Sequence, residues 1–194
     1  MLEQLIAWDH HIFTIINSQL TGGFLDFFLP FMRNQWVWFP FYFIMLLFFI
    51  IRYKMRGFAW SCWCIVTIAF ADFCSSQLIK KTVERARPCH IPEELTDLIV
   101  KVHCGTGFSF TSSHATNHMA LAAFIIVTTA ICFKKWRWLF LPWALCIGYA
   151  QIYVGVHFPI DIISGFALGG LLGYVSAIFF QKSRLALQPA MKKA

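Results

Sequence analysis

GFSFTSSHATNHMALAAFIIVTTAICF, residues 107–133, changes character halfway along. Its first half crowds hydroxyl side chains, an amide and two histidines together, and its second half is greasy enough to sit in lipid. The segment 115–133 approaches the ~20 apolar residues that cross a hydrocarbon core, so the polar run stands at the mouth of a membrane span. Three further segments have the same length and greasiness: 58–79, 138–156 and 160–180. A fifth, WVWFPFYFIMLLFFII (36–51), is shorter, and its Pro40 lies near the start, where a helix tolerates proline best. Composition agrees with a bilayer as the solvent. A chain of 194 residues that is 59% hydrophobic and only 13% charged lacks the polar surface a soluble domain of that size needs.

The first twenty residues follow another pattern. Leu2, Leu5, Ile6, Ile12, Phe13, Ile16 and Leu20 fall within an arc of about 120° at helical periodicity, which predicts an amphipathic helix lying in the membrane interface. Asp9 sits in the middle of that arc, and nothing in the sequence explains it. The fold expected is therefore all-α: a bundle of about five transmembrane helices plus an N-terminal amphipathic interfacial helix. It forms one integral-membrane domain over 1–194, with an interfacial segment 1–33 and a cytoplasmic tail 182–194. MLEQLIAWDHH has no basic stretch ahead of its apolar residues and no small-residue cleavage site, so no signal peptide is expected.

Charge placement sets the expected orientation. The net charge is +7, but the basic residues stand in short clusters between greasy segments, not along one continuous face, which argues against nucleic acid. Arg52, Lys54 and Arg56, then Lys134, Lys135 and Arg137, then Lys182, Arg184, Lys192 and Lys193 fall on one side of a five-span chain. The positive-inside rule makes that side cytoplasmic. The N-terminus and the polar run then face outward.

Three polar clusters meet on the outer face: KKTVERARP (80–88), FTSSHATNH (110–118) and QIYVGVHFPID (151–161). Charges beside a membrane are costly unless paired or hydrated, so their convergence predicts a hydrated anion pocket. These clusters resemble the type-2 phosphatidic acid phosphatase family of membrane lipid phosphatases. That family's motifs are Lys-six residues-Arg-Pro, Pro-Ser-Gly-His, and Ser-Arg-five residues-His-three residues-Asp. Lys80 with Arg87-Pro88 fits the first completely. Thr111-Ser112-Ser113-His114 fits the second with two replacements, and His157 with Asp161 fits the third except at its opening pair, which here is Ala150-Gln151.

The resemblance implies a phosphatase that removes phosphate from a lipid phosphate or diphosphate without a metal or other cofactor. Undecaprenyl diphosphate is the first choice of substrate, in the inner membrane of a bacterium. It makes His157 the nucleophile, Asp161 the group orienting its imidazole, and His114 the acid that protonates the leaving group and later activates water. Lys80, Arg87, Ser112, Ser113, Gln151 and Arg85 are the expected phosphate contacts. Lys80 offers a point charge and Arg87 a planar fork, while a helix beginning near His114 adds backbone donors at its positive end. Gln151 stands where the family has arginine, so one cation is missing; Arg85 is a candidate to replace it, and equally a candidate for a lipid-headgroup or structural partner. Two other classes stay open: a lipid transporter or flippase gated by these charges, and a catalytically impaired relative that binds lipid phosphate.

Several residues have plainer readings. His118, one turn beyond His114, is expected to pack or hydrogen-bond, Lys81 to snorkel toward the interface, and Asp72 to tie two helices together. The glycines of GFALGGLLG (165–173) are expected to permit close helix packing. Of seven cysteines, Cys89 and Cys104 alone lie in the outer loop. They suit a disulfide, a zinc site with His90 and His103, or free thiols.

Overall fold

The computed structural model describes residues 1–95 and 97–187. They form helices, and no strand occurs among the described residues. Helix α1 (Leu2–Thr14) runs on through a wide turn, Ile15–Gln19, and α2 (Gly23–Arg33) leaves it at 117°. Helix α3 (Gln35–Tyr53) starts on an Asn34 cap, whose Oδ1 accepts from the Trp36 N–H at 3.1 Å. A one-residue turn at Lys54 (φ 53°) reverses the chain into α4 (Met55–Asp72), which continues through Phe73–Ile79 into the short α5 (Lys80–Val83). After the outer loop come α6 (Ser113–Thr128), α7 (Ala130–Phe133), a 3-10 turn Lys134–Leu139, α8 (Phe140–Tyr153) and α9 (Pro159–Lys182).

Three stretches are long and apolar enough to cross a membrane by themselves: Gln35–Tyr53, Met55–Val83 and Pro159–Lys182. The helices on either side of the 130s, expected as two further spans, pack against each other and are joined through a break with a bend of 71°. The break has a local cause. The Thr128 and Thr129 hydroxyls donate back to the carbonyls of Phe124 and Ile125, a contact that bends helices, and the basic KKWRW run then tightens into the 3-10 turn. The outward surface of α3 presents Phe39, Phe43, Ile44, Phe48 and Ile51, a face suited to lipid tails.

Helix α6 occupies the middle, packed upon by α4, α8 and above all α9. That last contact decides where the site forms. A Cβ on Gly169 would lie 2.2 Å from the Thr116 carbonyl oxygen, and one on Gly173 2.1 Å from that of Ala120. Only glycine lets the two backbones approach so closely, as the sequence pattern anticipates. The approach brings the start of α6 against the start of α9, where the Ser112 N–H donates to the Asp161 carbonyl at 3.1 Å.

The two ends of the bundle differ in chemistry. At one end Tyr53 donates to the Cys132 sulfur at 3.0 Å and Gln181 to the Val127 carbonyl at 3.0 Å. The three basic turns around Lys54, Lys135 and Lys182 therefore lie together, as the expected topology requires. Lys192 and Lys193, with most of the expected tail, lie outside the described residues. At the other end sit α1, α5 and the outer loop.

Helix α1 turns a stripe of Asp9, Phe13 and Asn17 inward while Leu5, Ile6, Ile12 and Leu20 stay exposed. The apolar arc is thus divided between protein and surroundings. Asn17 clamps the loop to the end of α8: its amide nitrogen donates to the Ile99 and Tyr153 carbonyls, and its oxygen accepts from the Ile99 N–H. The adjoining turn needs Gly155, at φ 85° with the Ile99 carbonyl 2.7 Å from where a Cβ would be.

Replacing Gly169 by leucine should force α6 and α9 apart, at a cost of about 1–3 kcal/mol or more. Thermal unfolding in detergent should show a lower midpoint together with lost activity. An unchanged midpoint would contradict the close approach.

Candidate active site

The third sequence cluster forms the centre. His157 lies in the turn between α8 and α9 and is 3% exposed. Pro159 opens α9, with fixed φ suited to a first turn, and places Asp161 one turn beyond the histidine. The Asp161 carboxylate is completely buried and heavily used. Its Oδ2 accepts from the Phe158 N–H at 2.9 Å and from the Ser109 hydroxyl, and stands 3.5 Å from His157 Nδ1.

Ser109 is the element that sequence reasoning missed. Its hydroxyl lies 3.2 Å from His157 Nδ1. Because that hydroxyl donates to Asp161, the oxygen accepts from the imidazole, which puts the proton on Nδ1 and leaves a lone pair on Nε2. Asp161 orients the histidine mainly through this serine, a variation on the His–Asp contact implied by resemblance. Ser109 lies in the opening polar run, but no motif distinguished it from its neighbours. Burial lowers the His157 imidazole to about 4, so the ring is neutral at pH 7 and has a nucleophilic nitrogen.

Of the two readings of Arg85, the structure shows partners for the structural one. One terminal nitrogen donates to Asp161 Oδ1 at 2.8 Å, the other to Asp9 Oδ2 at 2.5 Å, and the guanidinium lies 4.2 Å over the Phe158 ring. Two buried carboxylates need a counter-charge more than an outer anion does, so Arg85 becomes a brace beneath Asp161. This also accounts for Asp9. Its Oδ2 meets Arg85, while its Oδ1 accepts from the Ile160 N–H at 2.8 Å, so α1 supplies an acceptor for the open N-terminus of α9. No local pattern reveals such a partner, because 151 residues separate the pair.

The remaining residues surround this centre. Lys80 Nζ donates to the Phe108 carbonyl at 2.8 Å, and Arg87 Nε to the Gly107 carbonyl at 2.8 Å. Both cations thus grip the loop that carries Ser109, Lys80 also donating to the Ser109 carbonyl at 3.5 Å, while the Arg87 fork and one Lys80 proton remain for another acceptor. Ser112 caps α6, its hydroxyl accepting from the Ala115 N–H at 3.4 Å. The first backbone N–H groups of α6, from Ser113 onward, have no intrahelical acceptor and form an anion-binding end. The Ser113 hydroxyl is tied sideways to Ser75 at 3.1 Å. His114 lies in the first turn, within electrostatic reach of His157, Lys80 and Arg33. Gln151 is fully buried, and neither amide atom has a hydrogen-bond partner among the described residues.

The plainer expectations have clear partners. Asp72 joins two helices, accepting from Ser76 on its own helix and from Asn117 on α6. His118 bonds the His114 carbonyl and packs 5.1 Å from the Trp143 ring. Cys89 and Cys104 are bonded to each other, which closes the outer loop over fifteen residues. His90 lies beside that pair, but the disulfide takes both sulfurs that zinc would need.

Fold and site together define a multi-pass membrane protein with cationic side chains and open helix N–H groups around an oriented histidine. A family model described as the PAP2 superfamily matches residues 60–185, and the chain belongs to this family of membrane lipid phosphatases. It is 30% identical to a lipid A 4'-phosphatase of Bacteroides thetaiotaomicron, over 97% of this chain and 84% of the relative. An undecaprenyl-diphosphatase of Sulfolobus acidocaldarius is 27% identical over 90% and 79% of the two chains. The fold is similar to the transmembrane PAP2-type phosphatidylglycerolphosphate phosphatase of Bacillus subtilis, with a TM-score of 0.75, 21% identity and coverage of 93% and 89%.

Substituting Arg85 by methionine should strand two buried carboxylates and destabilise the protein by about 3–5 kcal/mol. Adding Asp9→Asn should restore part of the loss, read as a positive coupling between the two changes in thermal unfolding. A normal unfolding midpoint with only a raised KM would instead mark Arg85 as a substrate contact.

Proposed function

We propose that this chain hydrolyses a lipid phosphate or diphosphate through a phosphohistidine on His157. The observation that carries the reading is the relay His157–Ser109–Asp161, because it leaves Nε2 unprotonated and able to attack phosphorus. Lys80, Arg87 and the α6 N-terminus then neutralise the phosphoryl oxygens, the main task in phosphoryl transfer. As the bond to the leaving oxygen breaks, its electron pair goes with that oxygen and His114 supplies the proton. His114 next takes a proton from water, which attacks the phosphohistidine. Inorganic phosphate leaves and the His157 imidazole is restored. The buried, unpartnered Gln151 amide gains an acceptor if a phosphoryl oxygen reaches it, which offsets part of the charge lost at that position. No step in this sequence calls on a metal.

The active site is assigned to the extracytoplasmic face of an inner membrane, with the N-terminus outside and the C-terminus cytoplasmic. Two features support this side: the basic turns gather at the opposite end, and the outer loop holds a disulfide, which persists in oxidising compartments. Undecaprenyl diphosphate is the first candidate substrate. Lipid A 4'-phosphate is the second, on the similarity to the Bacteroides protein. A flippase or transporter has no use for the Ser109 relay, and a site that only binds lipid phosphate needs no leaving-group acid.

Phosphate release in detergent from a panel of lipid phosphates and diphosphates tests the proposal. Wild type should release phosphate from at least one member and His157→Ala from none. Equal background in both would leave the transport and binding readings standing in its place.

A further inference from the structure

Arg33 ends α2, far in sequence from every motif, yet it reaches the site. With Asn34, Gln35, Trp36, Val102 and His114 it lines a cavity of about 340 Å³. Its Nε is buried without a hydrogen-bond partner, and no carboxylate pairs with it among the described residues. The charge that acts on it is that of Arg87, which has the same sign, and His114 beside it in the cavity wall is kept neutral by burial. Such a cation is stabilised only when an anion enters beside it.

Position decides which anion. On the mechanism proposed above, on which this inference rests, His114 faces the leaving oxygen. Whatever is bonded to that oxygen lies on its far side from the reacting phosphorus, and His114 itself lines the Arg33 cavity. A phosphate monoester leaves as a neutral alcohol, which gives Arg33 no charge to meet. A diphosphate leaves as a lipid monophosphate, whose oxygens carry full negative charge.

We propose that Arg33 and this cavity form a second phosphate subsite, which holds the lipid-linked phosphate of a diphosphate substrate while its terminal phosphate is transferred to His157. In that step His157 Nε2 bonds to the terminal phosphorus as the bond from that phosphorus to the bridging oxygen breaks. The electron pair leaves on the bridging oxygen, which becomes part of the lipid monophosphate. Arg33 stabilises that charge as it develops, alongside the proton from His114. Water then releases the terminal group as inorganic phosphate. Arg33 is thereby a specificity residue supplied by the N-terminal segment, outside the region 60–185 that carries the family match.

Two soluble probes separate the subsites without requiring turnover. Orthovanadate fills the reacting phosphoryl position alone, and methylenediphosphonate spans both positions without being cleaved. Binding of each to the full chain in detergent is measured by calorimetry for wild type, Arg33→Gln and Arg33→Lys. The expected result is a loss of at least about tenfold in methylenediphosphonate affinity for Arg33→Gln, the range of one charge-assisted contact, with vanadate affinity within about threefold of wild type. Arg33→Lys, which keeps the charge, should lose less. An equal fall for both probes would place Arg33 at the reacting phosphoryl group, and no fall for either would make it structural; each result overturns the proposal. Failure of wild type to bind vanadate at all would remove the phosphatase reading together with the subsite, an outcome distinct from both.

Discussion

A carboxylate buried without water must be matched by positive charge and hydrogen bonds, and Asp161 imposes that demand on the whole outer end of the bundle. Arg85 supplies the charge, Ser109 and the Phe158 N–H supply donors, and Asp9 fixes the far side of Arg85. Each partner comes from a different part of the chain. Satisfying one side chain therefore draws α1, the 80s, the 107–112 loop and the start of α9 into a single cluster. The nucleophile inherits its tautomer from this arrangement.

Packing within the membrane serves the same end. The glycine stripe of α9 lets α6 approach until Ser112 and Asp161 share a backbone hydrogen bond, so the positive end of α6 faces the turn that bears His157. A looser helix pair would leave the N-terminus of α6 and His157 apart. At the loop, Lys80 uses two donors and Arg87 one to grip the backbone, and each keeps at least one more available. They therefore place Ser109 as well as the phosphate cradle. Stability and chemistry draw on the same contacts, so stability measurements bear directly on the catalytic account.

The sequence reveals much of this because several features leave short-range marks. Membrane segments show as runs of apolar residues, the turns at one end of the bundle show in Lys and Arg clusters, and the motif residues have fixed spacing. Lys80, Arg87, His114, His157 and Asp161 all lie at one end, as their spacing implies. What the sequence hides depends on long-range partners. Asp9 reads as an anomaly on an apolar face until Arg85 and the α9 N-terminus are beside it. Ser109 looks like any hydroxyl in a polar run, and Arg33 like an ordinary basic residue at a helix end. For Arg85 the sequence leaves a substrate contact and a structural partner equally open, and two buried carboxylates pair with it. The turn between α6 and α8 is expected from the basic cluster at 134–137, but the threonine hydroxyls that bond back to the helix ahead of it are not registered by hydropathy.

Capture of the covalent intermediate tests the central claim most directly. In a His114→Ala protein, where water activation is impaired, a brief exposure to substrate labelled in its terminal phosphate should leave label on the protein. That label should be lost in acid, survive in base, and map to the peptide containing His157. Label on another residue, or none from a protein that still releases phosphate, would contradict the assignment of His157 as nucleophile.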